Sequence, residues 1–483
     1  MSGTSGKTEN KQSLLSLENV LSATGGVHVL GDGEFFFDSV QTDSRLVTKN
    51  SLFVPLIGEN QDGHKFIPQA VAAGVSVVFI AFDNFEKDSD YFVDIHSKNP
   101  AVIFIAVQNT LTALQKTAAA YVDKFPSLIK IGVTGSSGKT TTKEIAAAIL
   151  SQKYSVVTNR GNFNSETGLP LSVFAIRKEH QVGIFEMGMN RVNEIGEIAS
   201  VLKPRFAVIT NIGTAHIGIL GSRENIAAEK SKIFDYFQGI GTAFIPAGDD
   251  FASFLKERVD GNVVLYGEGV DADVQLVKDK GLEGTEISVC GKKALIPLPG
   301  KYNFLDALAA VELAKFMGLS AEEICSGLNN LKPMFGRSQV LHGRYTVVQD
   351  CYNANPDSME RAIEFISSVP CPQGKCLVLG DMLELGEASA SEHRKTGLLA
   401  AGAGCSLVVF TGDEMQNAYN AALESHCKCE LAYFAGKSDS VMEQVAEKVC
   451  SSMGEGAVVL VKGSRGMGLE RAVAHILGEN SHD

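Results

Sequence analysis

A glycine-rich turn joins an apolar segment to a helical pattern near residue 135. Residues 129–133 (Ile-Lys-Ile-Gly-Val) have a mostly apolar strand pattern, residues 143–150 have helical spacing, and the sequence Thr-Gly-Ser-Ser-Gly-Lys-Thr-Thr-Thr (134–142) lies between them. Such a turn cradles phosphate groups, because glycines let backbone N–H groups approach and the helix N-terminus is electropositive. We expect Lys139 to reach the outer phosphates of a nucleotide and the Thr140 hydroxyl to reach Mg²⁺. The predicted loop comprises Gly135, Ser136, Ser137, Gly138, Lys139, Thr140 and Thr141.

The alternative for this segment is an ordinary turn with a helix cap. The strict eight-residue motif is absent because Val133 stands at the position of its first glycine, so the loop is a shorter variant. A similar string, Gly-Thr-Ser-Gly-Lys-Thr (3–8), occurs at the N-terminus without a preceding strand or a following apolar helix. We interpret that second string as a coincidence.

Three later residues could bind a metal ion or act on a proton. Glu186 ends an apolar strand pattern, His216 follows another in a loop of small residues, and Lys230 lies on the apolar stripe of a helix predicted over 223–237. Ligands gather at the carboxyl ends of strands in open α/β sheets, where a carboxylate suits Mg²⁺. Each residue has an ordinary alternative: a helix-capping acid, a surface or core histidine, and a lysine that extends its ammonium to solvent.

The elements that would position these residues repeat a strand–turn–helix rhythm. Continuous apolar segments alternate with helical patterns after Pro126 and again after Lys332-Pro333, which is typical of parallel sheets covered on both faces. We therefore predict an α/β fold with a central phosphate-loop-type parallel sheet, an α/β N-terminal domain and a Rossmann-like C-terminal domain. The predicted boundaries are a disordered tail at 1–12 and domains at 13–126, 127–332 and 333–483.

Composition argues against several classes of protein. Lys plus Arg number 43 and Asp plus Glu 56, so the net charge of −13 disfavours binding to nucleic acid or an anionic membrane. The longest apolar runs are strand-sized, and the polar N-terminus lacks a signal-peptide core. Nine cysteines have neither zinc-module nor disulfide-framework spacing. We expect a reduced, cytoplasmic protein with no membrane insertion and no nucleic-acid partner.

The motifs together resemble the Mur ligase family, the ATP-dependent ligases of peptidoglycan synthesis and relatives of folylpolyglutamate synthetase. The resemblance rests on the phosphate loop, Glu186-Met-Gly, Thr210-Asn, His216 and Lys230. Five motifs outside the central domain narrow it to the member that adds D-alanyl-D-alanine to UDP-N-acetylmuramoyl-tripeptide. They are Tyr-Asn-Ala-Asn-Pro-Asp-Ser-Met (352–359), Gly-Asp-Met-Leu-Glu-Leu-Gly (380–386), Lys-Gly-Ser-Arg-Gly-Met (462–467) and the N-terminal pair Thr-Asp-Ser-Arg (42–45) with Asp-Gly-His (62–64).

The resemblance implies an amide-forming reaction in which ATP first phosphorylates the terminal carboxylate of the tripeptide. The amino group of D-alanyl-D-alanine then attacks the acyl phosphate, giving the pentapeptide with ADP and phosphate. It further implies two Mg²⁺ ions held by Thr140, Glu186, His216 and Lys230, with Lys230 carbamylated by CO₂ into a carboxylate-like ligand. Lys139, Lys230, His216 and Glu186 are the implied catalytic residues.

The same resemblance implies roles for residues of all three domains. Asn303, Arg337 and Asp350 would bind ATP, although Tyr302 and Asp306 depart from the family pattern beside Asn303. The residues that would bind the two other substrates are Ser44, Arg45, Asn162, Asn164, Asn355, Glu384 and Arg465.

Other interpretations remain open at this point. The asparagines could be turn residues, Arg337 a surface ion-pair partner and Asp350 a helix cap. The chain could be folylpolyglutamate synthetase or another Mur-type amino acid ligase, or a nucleotide-binding regulator or inactive scaffold that kept its phosphate loop. We expect a monomer whose domains close on their substrates, because the predicted ATP ligands lie on two domains.

Overall fold

The computed structural model describes residues 13–478 of the chain. The predicted disordered tail and the repeated string at 3–8 lie outside these residues. The described part contains four sheets, at residues 27–107, 129–266, 274–296 and 339–462. No helix within residues 13–478 is long and apolar enough to cross a membrane. The predicted α/β fold is confirmed, whereas the domain boundaries at 126 and 332 stay predictions.

The N-terminal sheet has five strands in the order β1-β5-β4-β3-β2, and only β1 runs antiparallel to its neighbour. Strands β4 and β5 are buried along their whole length, as their continuous apolar sequences predict. The strands are β1 Val27–Leu30, β2 Ser39–Gln41, β3 Ser51–Phe53, β4 Val77–Ala81 and β5 Ile103–Val107. The helices are α1 Leu17–Thr24, α2 Ile67–Ala72, α3 Phe82–Lys87, α4 Ser89–Lys98 and α5 Thr110–Val122.

The central sheet has six parallel strands in the order β11-β10-β9-β6-β8-β7. Its strands are β6 Ile129–Thr134, β7 Val156–Thr158, β8 Val182–Glu186, β9 Phe206–Ile209, β10 Gly241–Pro246 and β11 Gly261–Tyr266. Its helices are α6 Lys139–Leu150, α7 Gly168–Val173, α8 Glu194–Leu202, α9 Ile217–Leu220, α10 Arg223–Ser231 and α11 Ala252–Glu257. Because β6 lies between β8 and β9, the turns that follow these three strands meet at one edge.

Both faces of the central sheet are buried because successive side chains of a strand point to opposite sides. Ile184 packs into the cluster that contains helix α6, while its neighbour Phe185 packs into the cluster on the α8 side. The helix predicted over 223–237 is shorter than expected. It ends at Ser231, and a single 3-10 turn over Lys232–Phe234 carries the apolar stripe onward.

A small antiparallel sheet, which the sequence analysis did not predict, follows the central sheet. It comprises β12 Val274–Asp279, β13 Thr285–Val289 and β14 Lys292–Ile296. In β13 and β14 buried positions alternate with half-buried or exposed ones, and the apolar residues are too few to give a strong pattern. Two helices then return to pack on α6 and complete this part of the fold, namely α12 Lys301–Phe316 and α13 Ala321–Asn329.

The C-terminal sheet has the order β15-β16-β20-β17-β18-β19, with only β15 antiparallel. Its strands are β15 Gln339–His342, β16 Thr346–Asp350, β17 Lys375–Gly380, β18 Leu407–Thr411, β19 Glu430–Phe434 and β20 Val458–Lys462. Its helices are α14 Pro356–Ser368, α15 Ser389–Gly402, α16 Met415–Glu424, α17 Asp439–Ser452 and α18 Glu470–Leu477. The turns after β16, β17 and β20 face the phosphate loop.

Candidate active site

The phosphate loop lies between β6 and α6, where its sequence predicted it. Gly138 precedes α6 with φ 78°, in the left-handed region that favours glycine. A Cβ on Gly135 would lie 1.8 Å from the Thr210 hydroxyl oxygen, so only glycine fits there. The Lys139 ammonium donates to the Gly135 carbonyl at 3.0 Å. The Lys139 side chain therefore turns back onto the backbone of the loop, next to the N-terminus of α6.

Glu186 ends β8 directly beside this loop, and its carboxylate is buried. One carboxylate oxygen accepts from the Thr140 hydroxyl and the other accepts from the Asn164 amide at 2.7 Å. Burial raises the pKa of Glu186, but the charges of Lys139 and Arg337 and these two hydrogen bonds lower it more. The pKa is therefore held below its usual value, and the site keeps an anion between two cations.

Asn159, which the sequence analysis did not single out, fixes the position of Glu186. Its amide group donates to the carbonyls of Phe163 and Glu186, at 2.8 and 3.0 Å, and its Oδ1 accepts from the Glu186 N–H at 3.0 Å. The buried Lys143 ammonium donates to the Asn159 carbonyl at 2.9 Å. Asn159 thus joins the Glu186 strand to the loop that carries Asn162 and Asn164. The signal for Asn159 was its position directly after β7, at the start of the loop that contains Gly-Asn-Phe-Asn (161–164).

Lys230 is completely buried beneath the phosphate loop, as its place on the apolar stripe predicted. Its ammonium donates to the Gly135 carbonyl at 2.8 Å. Burial and the charge of Lys139 hold the pKa of Lys230 well below its ordinary value. The neighbouring Glu229 anchors this helix by accepting from the N–H groups of Asn193 and Ile195, at 2.9 and 3.0 Å. The alternative in which Lys230 extends its ammonium to solvent is therefore wrong.

His216 lies in the loop after β9 with φ 66° and is mostly buried. Its Nδ1 lies 3.0 Å from Oε2 of Glu384, which belongs to the turn after β17. Burial lowers the pKa of His216, and the adjacent Glu384 carboxylate opposes that shift only in part. The lowered pKa favours the neutral imidazole. The contact therefore joins the loop after β9 to the Glu384 carboxylate in the turn after β17.

Residues of the C-terminal sheet close the other side of the site. The Arg337 guanidinium stacks on the Tyr352 ring, 4.2 Å from its centroid. The Asp350 carboxylate accepts from the buried Lys462 ammonium at 2.6 Å and from the Ser338 N–H at 3.1 Å. Lys462 and Tyr352 both belong to motifs identified in the sequence, but no role was predicted for either residue. Lys462 is the last residue of β20 and Tyr352 lies two residues after the end of β16, and these positions at strand ends were the signal.

Asp306, on helix α12, lies in the wall of the site. Its carboxylate lies against Gly138, where an added Cβ would be 2.1 Å from Oδ1. Burial raises the pKa of Asp306 to about 7, although Arg361, Arg337 and Lys139 pull it down. Tyr302, on the preceding turn of α12, hydrogen-bonds the Ser338 hydroxyl at 2.7 Å. The two departures from the family pattern therefore both face this site.

These elements enclose one cavity of about 450 Å³. Most of the predicted site residues line it, namely Ser136, Ser137, Gly138, Lys139, Thr140, Thr141, Asn162, Asn164, Glu186, His216, Asn303, Arg337, Asp350, Asn355, Glu384 and Arg465. Gly135, at the start of the loop, and Lys230, which donates to the Gly135 carbonyl, do not line the cavity. Ser44 and Arg45 lie apart from the cavity, in a 3-10 turn between β2 and β3, where the Ser44 hydroxyl donates to Gln69 and Arg45 pairs with Asp43.

A phosphate loop with a buried acid, an imidazole and a second set of cations from another sheet defines a nucleotide-dependent transfer enzyme. Three family models match the chain: the Mur ligase family catalytic domain over 37–122, the Mur ligase middle domain over 133–314, and the Mur ligase glutamate ligase domain over 336–465. The chain belongs to the Mur ligase family.

Curated relatives match over nearly the whole chain. The chain is 42% identical to UDP-N-acetylmuramoyl-tripeptide–D-alanyl-D-alanine ligase of Treponema pallidum, over 95% of this chain and 98% of the relative. It is 35% identical to the enzyme of the same name from Bacillus subtilis, over 91% and 93%. A crystal structure of MurF from Acinetobacter baumannii superposes with a TM-score of 0.82 at 28% identity, covering 97% of this chain and 99% of that one.

Proposed function

We propose that this Mur ligase joins D-alanyl-D-alanine to UDP-N-acetylmuramoyl-tripeptide in an ATP-dependent reaction of peptidoglycan synthesis. The observation that carries the proposal is the single cavity in which the phosphate loop faces Tyr352, Asn355, Glu384 and Arg465. These four residues belong to the C-terminal motifs that distinguish this member of the family. Relatives that carry this enzyme's name at 42% and 35% identity support the same assignment.

The reaction begins with transfer of the γ-phosphoryl group of ATP to a carboxylate oxygen of the tripeptide, which releases ADP. The dipeptide amine then attacks the acyl carbon, loses a proton, and expels inorganic phosphate as the amide bond forms. Negative charge grows on oxygens in both steps, so fixed cations and N–H groups lower the barriers. Lys139 and the N-terminus of α6 serve the phosphoryl oxygens, and Arg337 meets them from the other side of the cavity. ATP use also agrees with the structure of MurF from Thermotoga maritima in complex with ADP, which superposes with a TM-score of 0.75 at 26% identity.

The donor set fits magnesium ions. Thr140, Glu186 and His216 offer a hydroxyl, a carboxylate and an imidazole to the same cavity, and Glu186 stays anionic. The residues between 13 and 478 contain no group of three or more His, Cys, Asp or Glu side chains placed for one ion. Phosphate oxygens and water would complete each shell, as is usual for Mg²⁺. When bound, two such ions would neutralise charge on the phosphoryl group.

Lys230 fits the expected carbamate. Burial and the charge of Lys139 hold the pKa of Lys230 well below its ordinary value, which favours the unprotonated amine, the form that adds to CO₂. The nitrogen donates to the Gly135 carbonyl, and in its unprotonated form it keeps a lone pair for the new bond. Addition places a negative charge beside Lys139, which favours that charge. Lys230 would then serve as a ligand of the second magnesium ion.

Binding of the two substrates other than ATP is assigned to separate parts of the chain. Asn162 and Asn164 line the side of the cavity next to Glu186 and are assigned to the acyl end of the tripeptide substrate. Asn355, Glu384 and Arg465 are assigned to D-alanyl-D-alanine, while Ser44 and Arg45 are assigned to the UDP end. Asn303 is assigned to ATP together with Asp350. A long UDP-sugar peptide is the kind of molecule that would reach from the N-terminal sheet into the cavity.

The rival assignments differ in the nucleophile that they predict. Folylpolyglutamate synthetase or another Mur-type ligase would add L-glutamate or a diamino acid, and a nucleotide-binding regulator or inactive scaffold would add nothing. The expected cytoplasmic location and the expected monomer stay predictions. Cell fractionation and analytical ultracentrifugation would check them.

One assay tests the proposal. Protein, Mg-ATP, UDP-N-acetylmuramoyl-tripeptide and D-alanyl-D-alanine are mixed, and phosphate release and the pentapeptide product are followed together. We expect one phosphate per pentapeptide and no turnover when the dipeptide is left out. L-glutamate and a diamino acid replace the dipeptide in parallel reactions. Product with either of these and not with D-alanyl-D-alanine, or no turnover with every component present, would refute the assignment.

A further inference from the structure

The C-terminal sheet contacts the central sheet through the first turn of α14. Oδ2 of Asp357, in that turn, accepts from the Thr214 N–H at 2.8 Å and from the Thr214 hydroxyl at 3.1 Å. Asn355, which caps the same helix, points its amide at the Ser136 carbonyl at 3.5 Å. Asp357 was not among the residues expected to have a role.

Gly213 leaves room for this contact. A Cβ on Gly213 would lie 2.2 Å from Oδ2 of Asp357 and 3.3 Å from the Ser136 Cβ. The first distance is far inside van der Waals contact and the second is only slightly tight. Any other residue at position 213 would therefore displace the Asp357 carboxylate from Thr214, although Gly213 is not among the residues with positive φ. The glycine is required by the approach of this carboxylate and not by its own backbone.

The segment that receives Asp357 is itself fixed to the phosphate loop. The Gly213 N–H donates to the Ser136 hydroxyl at 2.9 Å, and the Asn211 amide donates to Ser137 at 3.0 Å. His216 follows two residues after Thr214 in the same segment. A contact at Thr214 is therefore transmitted over a few bonds both to the phosphate loop and to the imidazole.

We propose that Asp357 is a positioning residue that docks the C-terminal part of the chain onto the Gly213–Thr214 segment and so assembles the complete cavity. This proposal rests on the function proposed above. Without the contact, the part of the chain that carries Arg337, Asp350 and Arg465 loses one of the links that hold it beside Lys139, while contacts such as His216–Glu384 remain. Asp357 touches no reacting atom and acts through the position of α14.

The first test compares three variants in the ligase assay and by small-angle scattering. Asp357→Ala removes the acceptor, Gly213→Ala adds the clash from the opposite side, and Glu360→Ala removes an exposed acid of the same helix as a control. Loss of a charged hydrogen bond predicts that kcat/KM for D-alanyl-D-alanine falls about tenfold to hundredfold in the first two variants. We expect the control to stay within twofold of the wild type.

The double variant Gly213→Ala/Asp357→Ala separates docking from helix stability. If the added methyl group collides with the carboxylate, the double variant is no worse than Asp357→Ala alone. A role of Asp357 confined to stabilising α14 predicts instead that Gly213→Ala is harmless. The proposal would be overturned if the losses of kcat/KM from the two substitutions multiplied in the double variant, or if Gly213→Ala had wild-type activity.

Scattering with MgADP as the probe gives a readout that does not depend on turnover. We expect the wild type with MgADP to reach a smaller radius of gyration than Asp357→Ala or Gly213→Ala with MgADP. Equal radii for all three would refute docking through Asp357. A wild type that compacts normally but makes no pentapeptide would refute the proposed function alone and leave the docking role standing.

Discussion

Replacement of Asn159 by alanine tests the idea that a buried amide holds Glu186 in place. Asn159 is 1% exposed, and its side chain pairs with three backbone groups, two on Glu186 and one on Phe163. Alanine leaves these groups without a partner in a space large enough for about one water molecule. Unpaired buried groups cost about 1–3 kcal/mol each, and partial repair by water brings the expected total to about 3 kcal/mol.

This loss has a thermal and a catalytic consequence. For a folding unit of this size, about 3 kcal/mol lowers the midpoint of unfolding by about 6–12 °C. A displacement of Glu186 by about 1 Å predicts a loss of kcat of about a hundredfold. Differential scanning calorimetry measures the first quantity, and phosphate release at saturating Mg-ATP measures the second.

Two further variants make the outcome decisive. Asn159→Asp keeps the acceptor for the Glu186 N–H but directs an oxygen at two carbonyl groups, so we expect it to be less stable than Asn159→Ala. Asn330→Ala, at an exposed helix end with one long side-chain contact, should stay within about 0.5 kcal/mol of the wild type. A midpoint of Asn159→Ala within 2 °C of the wild type and kcat within threefold would refute the reasoning about Glu186.

Three further outcomes are expected. Lys230→Ala should lose at least about a hundredfold in kcat, and short-chain carboxylates but not bicarbonate should restore part of it. Lys256→Ala, at an exposed position, is the control. Activity of Lys230→Ala equal to that of the wild type would remove the role of Lys230. Asp306 has its pKa raised to about 7 from 3.8, so its ionisation destabilises the folded protein progressively as pH rises through that range. The unfolding midpoint of Asp306→Asn should therefore exceed that of the wild type by a margin that grows from pH 4 to 8, and a constant margin would contradict this. Glu229→Ala should lower stability by about 1–3 kcal/mol in thermal unfolding, because it leaves two N–H groups at the start of α8 unpaired, and an unchanged midpoint would contradict the anchoring.

The sequence by itself determined the local parts of this site. A strand, a glycine turn and a helix start form the phosphate loop through contacts within about a dozen residues, so their order predicts the structure. The apolar stripe placed Lys230 in the interior for a similar reason, since helical spacing alone decides which residues share a face. The cavity residues at strand ends followed from the rule that ligands gather there.

The tertiary structure decided which of these parts meet. That β6 lies between β8 and β9, that Asn159 pairs with Glu186, and that Asp357 reaches Thr214 depend on contacts between residues 27 to 143 positions apart. Local pattern does not encode such pairings, because many surfaces of similar polarity compete for each strand edge and each helix end. Packing of whole sheets selects one arrangement. It therefore also decided that Ser44 and Arg45 stay apart from the cavity.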